Sequence, residues 1–201
     1  MGKVEVNKRL KRIAILDAAL ELFTDKGLQQ TSISEIAAKS GVAKGTFYLY
    51  FKDKYDIRNK LVVYQSRKML RAAYEAMQQE GLTELEEQLV FISNHVLDQL
   101  SERKDLLILI SKNLSWGILK REIVRTEPED EDEAFLDALH SMTATYGISP
   151  HESEIMLYLL VELMGSACYN AILYGEPCDL PTLKPYLFES VRRIIRQFSE
   201  S

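Results

Sequence analysis

Ile33-Ser-Glu-Ile-Ala-Ala-Lys-Ser-Gly-Val-Ala-Lys-Gly-Thr-Phe-Tyr-Leu-Tyr-Phe51 is the stretch on which the reading of this chain turns. It reads as two short helices joined by a turn that holds Gly41. Ser32-Ile-Ser-Glu35 has the capping-box spacing, in which Ser32 accepts from the backbone of residue 35 and Glu35 reaches back to the backbone of residue 32. The first short helix is expected to run through Ala37 and Ala38 to about Ser40. The second is expected from about Ala43 to Tyr50. Ile33, Ile36 and Ala37 are expected to point inward, and Val42 to plug the turn. Ala43, Phe47 and Phe51 lie at i, i+4 and i+8, so they are expected to share one face. A helix this short does not persist alone in water, because nucleation is unfavourable. The two phenylalanines must therefore anchor it, against Phe23 and the preceding helix.

That arrangement is a helix-turn-helix, whose second helix enters the major groove of a DNA duplex. The side away from the phenylalanines presents Gly45, Tyr48 and Leu49, flanked by Lys44 and Thr46. Gly45 lets the backbone come close to a sugar-phosphate chain. The hydroxyls of Thr46 and Tyr48 can donate to phosphate oxygens, and Lys44 stands where base edges are usually met. Leu49 can pack on a thymine methyl. Lys52 and Lys54 add positive charge beside the start of the next helix, itself a phosphate-friendly terminus.

Charge agrees with this placement. The 201 residues carry a net −5, but residues 1–52 hold nine Lys/Arg against five Asp/Glu, and residues 53–201 hold sixteen against twenty-five. A basic head on an acidic body suits a chain that binds a polyanion at one end.

Outward from the motif the period is helical nearly throughout. Ile13, Leu16, Leu20 and Phe23 form an amphipathic stripe that Lys26-Gly27 is expected to end. Asp53 is the expected cap of a long helix from about Lys54 to Gln79, ended by Gly81. Thr83 is expected to start another, with Leu85, Leu89, Ile92 and Val96 as its stripe. Further helices are expected over roughly 103–112, 114–125 and 135–146, with an acidic loop at 127–133. A long apolar helix from about Glu152 to Tyr174 follows. The last carries Leu183, Leu187, Val191, Ile194 and Phe198 in line. No strand alternation and no repeat is found. The fold class expected is all-α: a three-helix DNA-binding head over 1–53 and a helical regulatory domain over 54–201.

The ordered combination resembles the TetR family of one-component bacterial regulators. It comprises Ile15-Leu-Asp-Ala-Ala-Leu-Glu-Leu-Phe23, Lys26-Gly27, Thr31, Ile36-Ala-Ala38, Gly41-Val42, Lys44 to Phe51 and Lys52-Asp-Lys54. The resemblance covers about Lys11 to Leu61. It implies DNA contacts from Thr31 or Ser32, and from Lys44, Thr46, Tyr48, Tyr50, Lys52 and Lys54. Two positions depart from the family pattern: Ala43 stands where a capping Ser is common, and Tyr50 where His is frequent. The resemblance further implies a homodimer built from the last two long helices, and a ligand cavity in the larger domain. Leu159, Leu163, Ala167, Ala171, Leu187 and Ile194 are the expected dimer-interface residues. Arg192, Arg193 and Arg196 are expected as rim or solvated charges.

Beyond residue 62 no sharp motif occurs. Trp116, Phe91, His95, Met69, Tyr74 and Tyr158 are the candidates to line an apolar effector pocket, and core packing explains most of them equally well. His95, His140 and His151 lack metal-ligand spacing, so no metal is expected. No cofactor or catalytic motif is found, and no enzyme activity is expected. Cys168 and Cys178 read as reduced thiols of a cytoplasmic protein. The longest purely apolar run, 155–161, is too short for a bilayer, which needs about 20 residues, and no secretory leader is seen. The expected function is a ligand-responsive regulator, with a repressor released from a palindromic operator as the leading form. An activator on the same fold and a DNA-independent helical ligand-binding protein are the alternatives.

Overall fold

The computed structural model describes residues 3–111 and 140–199. Every regular element among them is helical: α1 Lys3–Gln30, α2 Ile33–Lys39, α3 Lys44–Tyr50, α4 Lys54–Gln79, α5 Leu85–Glu102, α6 Lys104–Ser111, α7 Pro150–Tyr174 and α8 Leu180–Ser199. The helix expected at 114–125, the acidic loop and most of the one expected at 135–146 lie outside the described residues.

The described chain divides into two compact units, and the division falls inside α4. One runs to Gln65, and the other takes in 66–111 and 140–199. The head thus extends past residue 53 because Ile57 and Leu61, on the first turns of α4, are fully buried.

In the first unit, α1 leaves helical geometry at Gly27 (φ 82°, ψ 160°) and adds one more turn to Gln30. Glycine adopts that conformation without steric penalty. Ser32 then caps α2 with both halves of the capping box formed. Asp53 caps α4, its Oδ1 accepting from the N–H groups of Tyr55 and Asp56 at 2.7 and 2.8 Å.

In the second unit, α5 begins at Leu85 rather than Thr83. The Tyr146 hydroxyl is the reason: it accepts from the Leu85 N–H at 2.9 Å and donates to the Thr83 carbonyl at 2.8 Å. α7 starts at Pro150, two residues earlier than expected. Ser149 and Glu152 form a second capping box there, and Pro150 sits in the first turn, where its missing N–H costs nothing. One core joins Leu85 and Leu89 to Met156, Leu160, Val191 and Ile195. Another joins Leu97 and Leu107 to Cys168, Ile172, Leu180 and Leu187. By length and composition α7 could cross a membrane. Here it supplies residues to both cores, and its buried Ser153 shares a 2.5 Å hydrogen bond with buried Thr143.

Candidate nucleic-acid interface

The head is built around side chains that leave water. Ile15, Leu16, Ala19 and Phe23 of α1, Ile36 and Ala37 of α2, and Phe47, Phe51, Ile57 and Leu61 are all buried. Phe47 and Phe51 lie one turn apart with ring centroids at 5.6 Å. Burying an aromatic side chain contributes roughly 1.5–3 kcal/mol, enough to hold a seven-residue helix that has no side-chain cap. Ala43, at the N-cap of α3, makes no such hydrogen bond. It is also exposed, so the buried face of α3 consists of Phe47 and Phe51 and excludes Ala43.

The connection between α2 and α3 is tight. Gly41 takes φ 70°. The Val42 N–H bonds the Ala37 carbonyl at 3.0 Å. Ser40 Oγ donates to the Ile36 carbonyl at 2.8 Å.

On the far side of α3, Leu49 is 81% exposed and Tyr48 50%. Lys44 and Gly45 are exposed, and Thr46 and Tyr50 are half-buried. Among the described residues outside its own helix turn, a methyl group built on Gly45 would meet no atom within 4 Å. The glycine therefore answers no packing need among them. A duplex backbone has room to approach it.

The remaining sequence candidates divide. Lys52 is exposed, with its backbone N–H held by Asp56 at 2.9 Å. Ser32 is exposed, but its hydroxyl is occupied in the capping box, with Oγ 2.8 Å from Glu35 Oε2. Thr31 is only 2% exposed, and its hydroxyl donates to the carbonyls of Gly27 at 2.9 Å and Leu22 at 3.3 Å. It fastens the kink after α1 and has no surface to offer DNA, which corrects its place among the contacts. Lys54 turns inward as well: its Nζ donates to the carbonyls of Leu28 and Gln29, each at 3.2 Å, satisfying the end of α1.

Two lysines outside the expected DNA contacts are tied down by acids of the head. Lys26 pairs with Glu35, and Lys39 with Glu21 at 2.6 Å. The Lys26 ammonium, with the Ser32 backbone and hydroxyl, holds the Glu35 carboxyl down at about 2 from an ordinary 4.5.

Residues 15–61 match the model of the bacterial regulatory proteins of the tetR family. That match covers under a quarter of the chain, and over it the chain resembles the TetR family. The fatty acid metabolism regulator protein of Bacillus subtilis is 52% identical over 50 residues, which is 25% of this chain and 26% of that one. The matches to the first curated TetR-family relatives thus span only about a quarter of their length. Solved TetR-family structures agree over nearly the whole chain in fold alone. The FadR regulator from Bacillus subtilis, in complex with stearoyl-CoA, superposes with a TM-score of 0.61 at 22% identity, over 89% of this chain and 96% of that one. Thermus thermophilus FadR, in complex with lauroyl-CoA, gives 0.57 at 20%, over 93% and 92%.

The second unit assembles some of the effector candidates. Tyr74 and Phe91 pack on one small core of Ala73, Met77 and Ile92, and His95 stacks on Phe91 at 6.1 Å. Met69 is buried, and its carbonyl accepts from Gln99 at 3.3 Å. Tyr158 lies on a face of α7 where it is 41% exposed. Trp116 lies outside the described residues.

Of the expected dimer residues, Ala171 and Leu187 are buried, and Leu187 is a member of the core around Cys168. Neither has surface left for a partner, so both leave the interface set. Leu159, Leu163, Ala167 and Ile194 are half-buried. The open face of α7 is instead Ile155, Tyr158, Glu162, Gly165 and Ser166. Arg192 and Arg196 are engaged rather than solvated, clamping Glu86 of α5 at 3.1 and 2.7 Å. Cys168 sits in the core, where burial pushes its thiol up to about 11 and keeps it protonated. That leaves it a poor redox centre.

Proposed function

We propose that this protein is a DNA-binding transcriptional regulator that works as a two-fold homodimer in the cytoplasm and responds to a small molecule. The observation that carries the reading is the two-sidedness of α3. Phe47 is buried beneath it, while Gly45, Tyr48 and Leu49 stand open above. A seven-residue helix held only from below, with a bare backbone position and an exposed tyrosine and leucine on top, is shaped to lie in a major groove. Two such helices, about 34 Å apart in a dimer, read a pseudo-palindrome.

The regulatory arm of the proposal is repression relieved by an effector. The effector must bind the DNA-free form better than the DNA-bound form, since equal affinity shifts nothing. The FadR structures carry stearoyl-CoA and lauroyl-CoA, which makes long-chain acyl thioesters the first effectors to try.

The test is fluorescence anisotropy with a duplex selected by the full chain from a random pool, with and without lauroyl-CoA and stearoyl-CoA. Wild-type protein is expected to retain one duplex and to release it on effector addition. Lys44→Ala with Tyr48→Ala is expected to lower affinity by 10-fold or more, on the order of 1–3 kcal/mol per lost contact. Unchanged affinity in the double variant would sink the α3 reading.

A further inference from the structure

Leu49 is 81% exposed on α3. An exposed leucine by itself needs no explanation, but this one has a defined setting. Gly45 stands four residues earlier and is exposed too, so the two share one stripe of the helix. A long helical side chain leans over the turn that precedes it. Leu49 therefore leans over a turn that Gly45 leaves bare. Tyr48, beside it, is braced: its ring meets the buried Phe47 edge-on, with centroids at 5.5 Å and planes at 86°. The open face of α3 is thus a low apolar step with a tyrosine wall.

The chemistry of that face restricts what it reads. Lys44-Gly-Thr-Phe-Tyr-Leu-Tyr50 holds no Arg, Asn, Gln, Asp or Glu. Those are the side chains that pair with the edges of guanine, adenine and cytosine in the major groove. Lys44 and the hydroxyls remain, and Thr46 and Tyr50 are half-buried. The major groove also presents one apolar feature, the 5-methyl group of thymine. Leu49 is the exposed side chain of α3 that matches it. The exposed Lys44 and Lys52 near this face favour a polyanion over an apolar protein surface as the body that covers it.

We infer that Leu49 is a specificity-determining residue, packing on the 5-methyl group of a thymine at a fixed place in each half of the operator. This rests on the reading of the protein as a DNA-binding regulator, and names what its recognition helix reads. Leucine and methyl group leave water together when the helix docks. A cytosine at that place presses an amino group against Leu49, with no acceptor for its outward hydrogen. Discrimination at this position comes from an apolar contact, and Lys44 and Tyr48 hold the helix in the register that makes it.

The experiment uses the duplex that the full chain selects from a random pool. Its thymidines are replaced by deoxyuridine, one symmetry-related pair of positions at a time. Deoxyuridine lacks the 5-methyl group and keeps the pairing edge. Wild type is expected to lose affinity at one such pair, by about fourfold for each methyl removed and about fifteenfold for the two. Leu49→Ala is expected to bind the thymine duplex more weakly, and to bind the thymine and uracil duplexes equally at that place. Leu49→Met, apolar and of similar volume, is expected to keep the thymine preference. Circular dichroism melts verify that each variant folds. A wild-type chain that tolerates uracil at every position, or a Leu49→Ala chain that keeps the thymine preference, overturns the assignment and leaves the regulator reading standing. A wild-type chain that selects no duplex overturns the regulator reading, and the assignment with it.

Discussion

Glu35 is gripped from several sides within the head, and each of those partners favours its charged form. Lys26 contributes most, then the Ser32 backbone, then the Ser32 hydroxyl, against a smaller opposing effect of desolvation. The carboxyl therefore titrates near 2 in the folded chain and near 4.5 when those partners are lost. A depressed carboxyl stabilises the fold fully above its unfolded value, and that contribution disappears as the pH falls through the folded one. The head is accordingly expected to lose stability between pH 4.5 and pH 2. Glu35→Gln is expected to melt lower than wild type at neutral pH and to change less over that acid window, followed by circular dichroism. An acid limb as steep in the variant as in wild type would show that another group governs it. Thr31 shows what sequence reading misses at this scale. It stands beside Ser32, is equally polar, and matches a family contact position. Its hydroxyl nevertheless has two backbone carbonyls to satisfy once Gly27 turns the chain. The pattern gives residue type and register, while the kink decides which neighbour faces in.

At the scale of elements, α2 was legible because its signal is local. Ser32 and Glu35 are three residues apart, and the box they form is present. The equivalent Ser149-Pro-His-Glu152 box carries the same signal, and it moves the start of α7 back to Pro150. The start of α5 was not legible, because Tyr146, sixty-one residues away in sequence, sets it. α3 is the element whose local rules are least satisfied: seven residues, no side-chain cap and a glycine at its second position. Its stability rests on Phe47 and the Phe51 that follows it. Ala43→Ser should supply the absent cap, with Oγ accepting from the N–H of residue 45 or 46. A gain of about 1 kcal/mol in the unfolding free energy of the head is expected, measured by urea denaturation. No gain would mean that the extended backbone at Ala43 (φ −68°, ψ 148°) does not aim a serine hydroxyl at those donors.

Across the whole molecule, α7 poses a question that periodicity alone leaves open. It is apolar on more than one face, and a helix apolar all round must be covered all round. Met156, Leu160, Cys168 and Ile172 are covered by the chain itself. Ile155, Tyr158, Gly165 and Ser166 are not. A hydrophobic stripe shows that a side chain is buried, but not whether its own chain or a second copy buries it; for that reason Ala171 and Leu187 fell into the wrong set. The uncovered face is the proposed seam of the two-fold dimer, and Gly165 is the place to probe it. Among the described residues outside its own helix turn, a side chain started there meets no atom within 4 Å, and its backbone is helical. Replacing it with Arg therefore adds helix propensity, by somewhat under about 1 kcal/mol, while placing a long side chain where the two copies of this face would meet. Gly165→Arg is expected to keep its helical circular dichroism and to sediment as a monomer at concentrations where wild type is a dimer. Its affinity for the selected duplex should fall by at least roughly 100-fold, because the two heads no longer bind as one unit. A Gly165→Arg chain that remains dimeric would place the seam elsewhere and leave the open face of α7 without a partner.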